Sequence, residues 1–174
     1  ARIKSRLMED VSRGELSEQV KDTILARIKG TINPQDFSDC DLMIETVVES
    51  MDLKKRVFTQ LDKICPVDVV LATNTSVLSI LDMAMVTSRP NRVVGIHADP
   101  LLFPAIEVIK TLLTSNETLE IAKNFVHSLG KHALICMDTP GFIGNRLLIP
   151  LFFNVIRLLE AGIATREVLD NAGK

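Results

Sequence analysis

Apolar residues recur along the first 30 positions at a spacing of three or four, which predicts two amphipathic helices. Ser17 stands where the N-cap of the second helix is expected, and Gly14 and Gly30 mark the two helix ends. The residues that form this pattern are Ile3, Leu7 and Val11, and then Val20, Ile24, Leu25 and Ile28.

From Asp41 onward, short continuous apolar runs alternate with stretches of helical period. Such alternation is typical of α/β proteins, so we predict a Rossmann-like, mainly parallel sheet with flanking helices. All five apolar runs are expected in this one sheet. The predicted strands are 42–48, 69–72, 92–97, 105–110 and 133–136. The predicted helices are 52–64, 78–86, 117–129 and 141–161, with a last helix beginning at Thr165.

The composition indicates a globular protein and argues against two classes of partner. Apolar residues make up 47% of the chain, and the formal net charge is −2 at pH 7. Trp and Tyr are absent and no basic patch is interleaved with aromatic residues, so we expect no nucleic-acid partner. The longest apolar stretch, Leu147 to Ile156, is broken by Pro150 and Asn154 and is too short to span a bilayer, so we expect no membrane partner.

The three cysteines, Cys40, Cys65 and Cys136, are widely spaced. Their odd number and spacing argue against a disulfide framework and a zinc site, and favour buried or half-buried thiols in a reducing cytoplasm. The chain begins at Ala1 without an initiator Met and without the apolar segment of a signal peptide. We therefore expect a cytoplasmic fragment of a longer protein.

His97 and Glu107 are the residues with the clearest catalytic potential. His97 ends the run 92–97, and Glu107 lies ten residues further on within the run 105–110. A carboxylate beside an imidazole can keep one ring nitrogen protonated and leave the other free to accept a proton from a substrate. The two runs therefore predict a general-base pair with the side chains about 3 Å apart. The spacing alone is weak evidence, because such pairs occur by chance in most chains.

Polar residues follow two of the predicted strands. Ala72-Thr-Asn-Thr-Ser76 follows the run 69–72, and ligands bind at the carboxyl ends of strands in a doubly wound sheet. The alternative is a helix N-cap, which the residue types alone favour. Glu49 follows the run 42–48, and Lys54 comes five residues later. The alternative for this pair is a solvated salt bridge on the helix.

Asp138-Thr-Pro-Gly-Phe-Ile-Gly-Asn-Arg146 is the most distinctive string in the chain. Pro140 and Gly141 are expected to end a strand and open a helix, with Asn145 one turn inside that helix. An amide at an apolar helix start is costly unless it is hydrogen-bonded. Asn145 is therefore expected either to face a ligand cleft or to tie down the preceding loop.

Five segments, in order and with matching spacers, resemble the nucleotide-binding domain of the 3-hydroxyacyl-CoA dehydrogenase family from about Ala1 to Leu169. The segments are Asp41-Leu-Met-Ile-Glu-Thr-Val-Val-Glu49, Leu53-Lys-Lys-Arg-Val-Phe58, Ala72-Thr-Asn-Thr-Ser76, Arg92-Val-Val-Gly-Ile-His97 and Thr139-Pro-Gly-Phe-Ile-Gly-Asn-Arg146. The resemblance implies NAD-dependent interconversion of a 3-hydroxyacyl-CoA and a 3-ketoacyl-CoA in fatty-acid metabolism (β-oxidation). It also implies an NAD-binding domain over 1–140, the start of a helical C-terminal domain over 141–174, and a homo-oligomer in the full-length parent.

The resemblance also assigns roles by position. His97 resembles the catalytic base of the family, and Glu107 resembles the carboxylate that orients it. Ser76 and Asn145 resemble the polar groups around the reacting oxygen of the substrate. NAD is the only cofactor that the resemblance implies, with no metal. The residues expected near NAD are Glu49, Lys54 and Asn74.

Three departures from the family pattern bear on activity. The chain has no Gly-x-Gly-x-x-Gly, so the opening strand and the turn that holds the pyrophosphate are expected before Ala1. The loop His97-Ala-Asp-Pro100 shortens the distance to Glu107 by two residues and brings Asp99 near His97, which favours imidazolium. The helical C-terminal domain is expected to stop after its first residues. We therefore expect the isolated chain to bind NAD weakly, to turn over acetoacetyl-CoA negligibly, and to self-associate through its open sheet edge and apolar helix 147–159.

Two other functions remain open. One is a degenerate binding or interaction domain that keeps the fold without catalysis, which the missing glycine turn and the altered loop after His97 favour. The joint presence of His97, Glu107, Ser76 and Asn145 favours the dehydrogenase instead. The other is a different NAD-dependent hydroxyacid dehydrogenase, but those of this layout use a lysine base, and no lysine occupies the matching place.

Overall fold

The chain is divided into two compact units, 1–36 and 37–174. The structure is a computed structural model that describes residues 2–98 and 104–172. The first unit contains helices α1 (Arg2–Ser12) and α2 (Glu18–Ala26), as the helical spacing predicts. Ser17 caps α2, because its Oγ accepts a hydrogen bond from the Val20 N–H at 3.2 Å. Neither helix buries a residue.

The second unit contains all the strands and the remaining helices. The strands are β1 (Leu42–Glu45), β2 (Val70–Thr73), β3 (Val93–His97), β4 (Ala105–Lys110) and β5 (His132–Met137). The helices are α3 (Met51–Ile64), α4 (Ile80–Ala84), α5 (Asn116–Ser128), α6 (Gly144–Glu160) and α7 (Arg166–Ala172). Short 3₁₀ turns occur at Pro34–Phe37 and Pro90–Arg92. Within the described part of the chain, no helix combines the length and the apolar character needed to cross a membrane.

The five strands form one sheet in the order β1-β2-β3-β4-β5, which confirms the prediction of a single sheet. The pairs β1–β2, β2–β3 and β4–β5 are parallel, so the sheet is mainly parallel as predicted. The pair β3–β4 is antiparallel. Residues 98–104 connect these two strands, and so short a connection cannot make the crossover that parallel strands need. This antiparallel step places His97 directly opposite Glu107.

Apolar residues cover both faces of the sheet. Because neighbouring residues of a strand point to opposite faces, Leu71 packs with α3 and α4 while Val70 packs with α5. Gly95 allows α4 to approach the sheet closely, since a Cβ there would overlap the Ile80 side chain and lie 2.9 Å from Ile109 Cδ1. The buried apolar residues of the two faces include Phe58, Leu61, Ile80, Met83 and Ile109 on one, and Val94, Val108, Leu119 and Val126 on the other.

Two predicted boundaries are wrong in ways that matter for the site. Strand β1 ends at Glu45 rather than at residue 48, because the Glu45 Oε1 accepts a hydrogen bond from the Val47 N–H at 2.5 Å and the chain turns there. Helix α4 covers only Ile80–Ala84 rather than 78–86. It begins after Ser79, whose Oγ accepts a hydrogen bond from the Asp82 N–H at 3.2 Å. The segment 72–76 is therefore not the N-cap of a helix.

Candidate active site

His97 and Glu107 form a buried pair between β3 and β4. The His97 Nδ1 lies 2.7 Å from the Glu107 Oε2, in agreement with the predicted hydrogen-bonding distance of about 3 Å. The two residues are opposite each other in the antiparallel ladder, so their side chains project from the same face. His97 is 5% exposed and Glu107 is fully buried. A carboxylate oxygen accepts hydrogen bonds, so Nδ1 is the donor in this pair and Nε2 is the ring nitrogen that remains for another partner.

The second oxygen of Glu107 is bound by the start of helix α6. The backbone N–H groups of Ile143 and Gly144 donate to the Glu107 Oε1 at 2.7 and 2.9 Å. The first N–H groups of a helix have no acceptor within the helix, and the positive end of the helix dipole favours a negative charge. Both oxygens of Glu107 therefore have fixed donors, and this holds the carboxylate in place beside His97.

A left-handed turn brings these two amides to Glu107. Gly141 has a φ of 79° and Phe142 a φ of 42°. This conformation costs a residue with a side chain roughly 1 kcal/mol. Phe142 is nevertheless 3% exposed, and its ring lies 5.9 Å from the His97 ring, centroid to centroid, at an angle of 60°. The turn also delays the helix, so α6 begins at Gly144 rather than at residue 141.

Asn145 contacts the backbone of Ser76, and the role of these two residues around a reacting oxygen stays a prediction. Asn145 is the second residue of α6 rather than one turn inside it, and its Nδ2 donates to the Ser76 carbonyl oxygen at 3.2 Å. The amide thus ties α6 to the loop after β2, not to its own preceding loop. Beside it lies a cavity of about 450 Å³ whose lining includes Asn145, Val77, Arg146 and Ile149.

Lys54 is buried in a charge network at the carboxyl end of β1. Its side chain is 1% exposed, and its Nζ donates to both carboxylate oxygens of Glu45 at 2.9 and 3.0 Å. The Nζ also lies 3.4 Å from the Glu49 Oε2. The alternative of a solvated salt bridge is therefore wrong. Glu45 was not among the predicted site residues, although a single carboxylate inside the apolar run 42–48 is a signal that could have identified it.

Glu49 connects this network to the loop after β2. Its Oε1 accepts hydrogen bonds from the Thr75 hydroxyl and from the Ser76 N–H, the latter at 3.1 Å. Partial burial raises the pKa of Glu49, but the hydrogen bonds from Thr75 and Ser76 and the charge of Lys54 outweigh it, so the pKa lies below its ordinary value. Glu49 is therefore a carboxylate at neutral pH. Among the described residues, no group of three or more His, Cys, Asp or Glu side chains could hold a metal ion.

Asn74 joins the loop after β2 to the base. Its Oδ1 accepts a hydrogen bond at 3.1 Å from the N–H of Ala98, the residue that follows His97. Its own N–H donates to the Glu45 carbonyl oxygen at 2.9 Å. The loop thus has backbone or side-chain contacts with β1, with β3 and with α6. The expected effect of Asp99 on His97 concerns a residue outside the described part of the chain.

Two family models together match nearly the whole chain. The 3-hydroxyacyl-CoA dehydrogenase NAD binding domain matches residues 1–139, and the 3-hydroxyacyl-CoA dehydrogenase C-terminal domain matches residues 141–174. The chain is 38% identical to a 3-hydroxybutyryl-CoA dehydrogenase of Clostridioides difficile, over 100% of this chain and 63% of that protein. It is also 38% identical to the human mitochondrial hydroxyacyl-coenzyme A dehydrogenase, over 98% of this chain and 54% of that protein.

The fold has close counterparts among solved structures. The crystal structure of the (S)-3-hydroxybutyryl-CoA dehydrogenase of Ralstonia eutropha superposes with a TM-score of 0.87 at 34% identity, covering 94% of this chain and 58% of that one. The chain spans between 54 and 63% of the length of the curated relatives that it matches. Likeness to these proteins therefore confirms the predicted Rossmann-like fold.

Proposed function

The chain belongs to the 3-hydroxyacyl-CoA dehydrogenase family, and we propose that it provides the acid–base part of an NAD-dependent enzyme that interconverts a 3-hydroxyacyl-CoA and a 3-ketoacyl-CoA. One observation carries the proposal. The imidazole of His97 is bound at Nδ1 by Glu107, whose other oxygen is held by two backbone amides of α6. This arrangement directs Nδ1 to the carboxylate and leaves Nε2 as the ring nitrogen that can take the proton of a substrate hydroxyl.

The remaining polar groups support roles around that proton transfer. His97 acts as the general base toward the 3-hydroxyl group, and in the reverse direction it returns the proton to the oxygen. Glu107 fixes the tautomer and stabilises the imidazolium that forms. Ser76 and Asn145, which are already in contact, are proposed to bind the reacting oxygen.

The network at the carboxyl ends of β1 and β2 fits the nicotinamide half of NAD. Glu49 is a fixed carboxylate with a half-exposed side chain, held by Thr75, Ser76 and Lys54. Carboxylates and amides at this edge of a sheet can accept hydrogen bonds from ribose hydroxyls, and we propose this role for Glu49 and Asn74. Lys54 is proposed to act beside them by holding the Glu49 carboxylate in place. When bound, NAD would supply the hydride acceptor.

Membership of this family also bears on the domains, partners and compartment of the protein. We propose an NAD-binding domain over 1–140 and the start of a C-terminal helical domain over 141–174, supported by the two family models that meet at residue 140. The substrate is an acyl-CoA, and the whole protein is proposed to form a homo-oligomer through its helical part. Three free thiols support a reducing compartment, for which we propose the cytoplasm.

A chimera provides the test of this function. The 174-residue chain replaces the matched segment of the C. difficile 3-hydroxybutyryl-CoA dehydrogenase, and acetoacetyl-CoA-dependent NADH oxidation is followed by absorbance. We expect activity, and we expect His97→Ala to reduce kcat by about 10²–10⁴-fold. His132→Ala, a histidine exposed on β5, is the matched control and should leave kcat unchanged.

Two results would contradict the proposal. A folded chimera that binds NADH and keeps its full kcat after His97→Ala would remove the role of His97. A folded chimera that neither binds NADH nor reduces acetoacetyl-CoA would favour a degenerate binding domain. Circular dichroism of each variant distinguishes these outcomes from a failure to fold.

A further inference from the structure

Two cysteine sulfurs meet at the amino-terminal edge of the sheet, opposite to the candidate active site. Cys40 lies just before β1, and Cys65 is the C-cap of α3; their Sγ atoms are 3.8 Å apart. Both thiols are free. We propose that Cys40 and Cys65 form a reversible disulfide by exchange with small cationic disulfides, and thus constitute a modification site that is independent of the active site.

The surroundings of the two sulfurs favour a bond between them. Arg89 holds the end of α3, because its Nη2 donates to the Cys65 carbonyl oxygen at 3.0 Å and its Nε donates to the Asp62 Oδ1 at 2.8 Å. Cys40 instead belongs to the irregular segment between the turn at Pro34–Phe37 and β1. A disulfide requires sulfurs about 2.05 Å apart. The two sulfurs must therefore move closer together by a short distance. The irregular segment around Cys40 can make this movement while Cys65 stays in place.

Only one of the two thiols is open to a reagent. Cys65 is 4% exposed, whereas Cys40 is half-buried and lines a cavity of about 330 Å³. Burial, and next the neighbouring Cys40, raise the pKa of the Cys65 thiol to about 11. Its thiolate is therefore scarce at neutral pH, and Cys40 is the residue that reacts first.

The charge around this cavity selects among reagents. Four carboxylates line it, and the basic residue among the described lining residues, Arg92, has its Nη2 3.0 Å from the Glu117 Oε1. The net negative field should draw a cationic disulfide toward Cys40 and repel an anionic one. The four carboxylates are Asp39, Asp41, Asp68 and Glu117.

The chemistry is two consecutive exchanges, with the small disulfide as the oxidant. The Cys40 thiolate attacks one sulfur of the reagent, forms a mixed disulfide and releases one molecule of small thiol. The Cys65 thiolate then attacks the Cys40 sulfur and releases the second small thiol. The protein loses two protons and two electrons, and the reagent is reduced to two thiols. An excess of a small thiol reverses both steps.

The test compares two disulfides of similar size and opposite charge on the 174-residue chain. Cystamine is a dication, and 3,3′-dithiodipropionate is a dianion. With cystamine we expect the intact protein to lose two hydrogen atoms, and peptide mapping under non-reducing conditions to link Cys40 to Cys65 and leave Cys136 free. At low ionic strength the reaction with cystamine should be roughly 10-fold faster than with the dianion, and added salt should reduce this ratio.

Single-residue variants separate the two steps. Cys65→Ser should stop at a stable cysteamine adduct on Cys40. Cys40→Ser cannot form the linkage, and its Cys65 should form an adduct much more slowly than Cys40 does in the wild type. Cys65→Ala replaces Cys65→Ser if the buried hydroxyl prevents folding, which a thermal melt reveals. The expected melting temperature of the oxidised wild type is roughly 5–10 °C above that of the reduced form, because the bond closes a loop in the unfolded chain.

Three results would overturn the proposal. The first is an initial adduct on Cys136 rather than on Cys40. The second is a wild-type adduct that never converts to a linkage between Cys40 and Cys65. The third is an equal rate of reaction with cystamine and with 3,3′-dithiodipropionate at low salt. A linkage that lowers the melting temperature would also contradict it, because it would show that the native positions of the two sulfurs do not accommodate the bond.

Discussion

The carboxyl ends of the strands bury charged groups, whereas helix α6 exposes apolar ones. Around the carboxyl ends of β1 and β3, the side chains of Glu45, Lys54 and Glu107 are at most 3% exposed, and no buried side-chain nitrogen or oxygen lacks a hydrogen-bond partner in the described part of the chain. On α6, Leu147 is 66% exposed and Phe153 is 57% exposed. The usual distribution of polar and apolar residues is thus reversed in two neighbouring regions of one unit.

The difference shows that partners, rather than residue type, decide where a side chain is stable. A buried charge costs several kcal/mol unless an opposite charge and hydrogen bonds replace water. The strand ends meet that condition, so each member of the network depends on the others. The apolar residues of α6 have no such mutual dependence, and a large exposed apolar surface is typical of a binding surface. Four predictions test this contrast.

The largest effect is expected from removal of a buried charge at the strand ends. Lys54→Met leaves the carboxylate of Glu45 buried without its cation, and we expect it to lower the free energy of unfolding by about 4 kcal/mol. Urea denaturation measures the change. Lys55→Met is the control, since the Lys55 side chain is 35% exposed and its change should stay within about 0.5 kcal/mol. Equal stability of the two variants would mean that Lys54 and Glu45 are not a buried pair.

A smaller loss of stability is expected at Phe142, where the two regions join. Here we expect substitution by Ala to destabilise the protein more than substitution by Gly. Phe142→Ala removes a buried ring but keeps a side chain in a left-handed conformation, and should cost about 3 kcal/mol. Phe142→Gly removes the same ring and also relieves the backbone, so it should cost about 1 kcal/mol less than Ala. Glycine normally destabilises more than alanine. Finding that normal order here by urea denaturation would contradict the left-handed turn.

A still smaller, pH-dependent effect is expected at Glu49. The folded state lowers its pKa below the ordinary value of 4.5, so its stabilising contribution is present above about pH 4.5 and is lost as the pH falls through the folded pKa. The side chain is 38% exposed, and screening by solvent limits the contribution to less than about 1 kcal/mol. Glu49→Gln should therefore lower stability at pH 7 and approach the wild type below pH 4.5.

Urea denaturation in steps from pH 7 to pH 3.5 measures this convergence. Glu120→Gln removes a carboxylate from the surface of α5, where it pairs with Lys123, and provides the control for a change of net charge. A difference between Glu49→Gln and the wild type that stays constant over this range would show that the hydrogen bonds to Glu49 do not depend on its charge.

The smallest effect on stability is expected on α6. Leu147→Gln combined with Leu151→Gln replaces two side chains that are 66 and 55% exposed, so the free energy of unfolding should change by less than about 0.5 kcal/mol. Self-association, measured by analytical ultracentrifugation, should nevertheless decrease, because the two residues lie one turn apart on the same face. Val48→Gln, at an exposed apolar position outside α6, is the control and should leave association unchanged.

The sequence predicts the arrangement of the strands well, because the relevant patterns are local. Each of the five apolar runs is a strand of one sheet, and the positions of Ser17 and of the 105–110 run agree with the observed cap and strand. The approach of His97 to Glu107 and the contact between Asn145 and Ser76 follow from residues that were identified in advance. Their catalytic roles remain predictions.

The missed features depend on contacts between distant segments. The role of Glu45 was not predicted, because its contact with Lys54 is recognisable only after α3 is packed on the sheet. The left-handed conformation of Phe142 has no signal in the residue type, since Pro140 and Gly141 suggest a helix start. In contrast, the antiparallel step at β3–β4 could have been inferred from the short connection 98–104.

Because of that antiparallel step, the position of His97 does not depend on the length of the connection 98–104. His97 and Glu107 face each other because of ladder hydrogen bonds, which fix the register at Gly95–Ile109, Ile96–Val108 and His97–Glu107. Residues inserted into or deleted from 98–104 change the loop and whatever it contacts, but they do not change which residues are paired. The two-residue difference from the family pattern is therefore tolerated. The number of residues between the two strands can therefore vary while the imidazole of His97 keeps its place beside the carboxylate of Glu107.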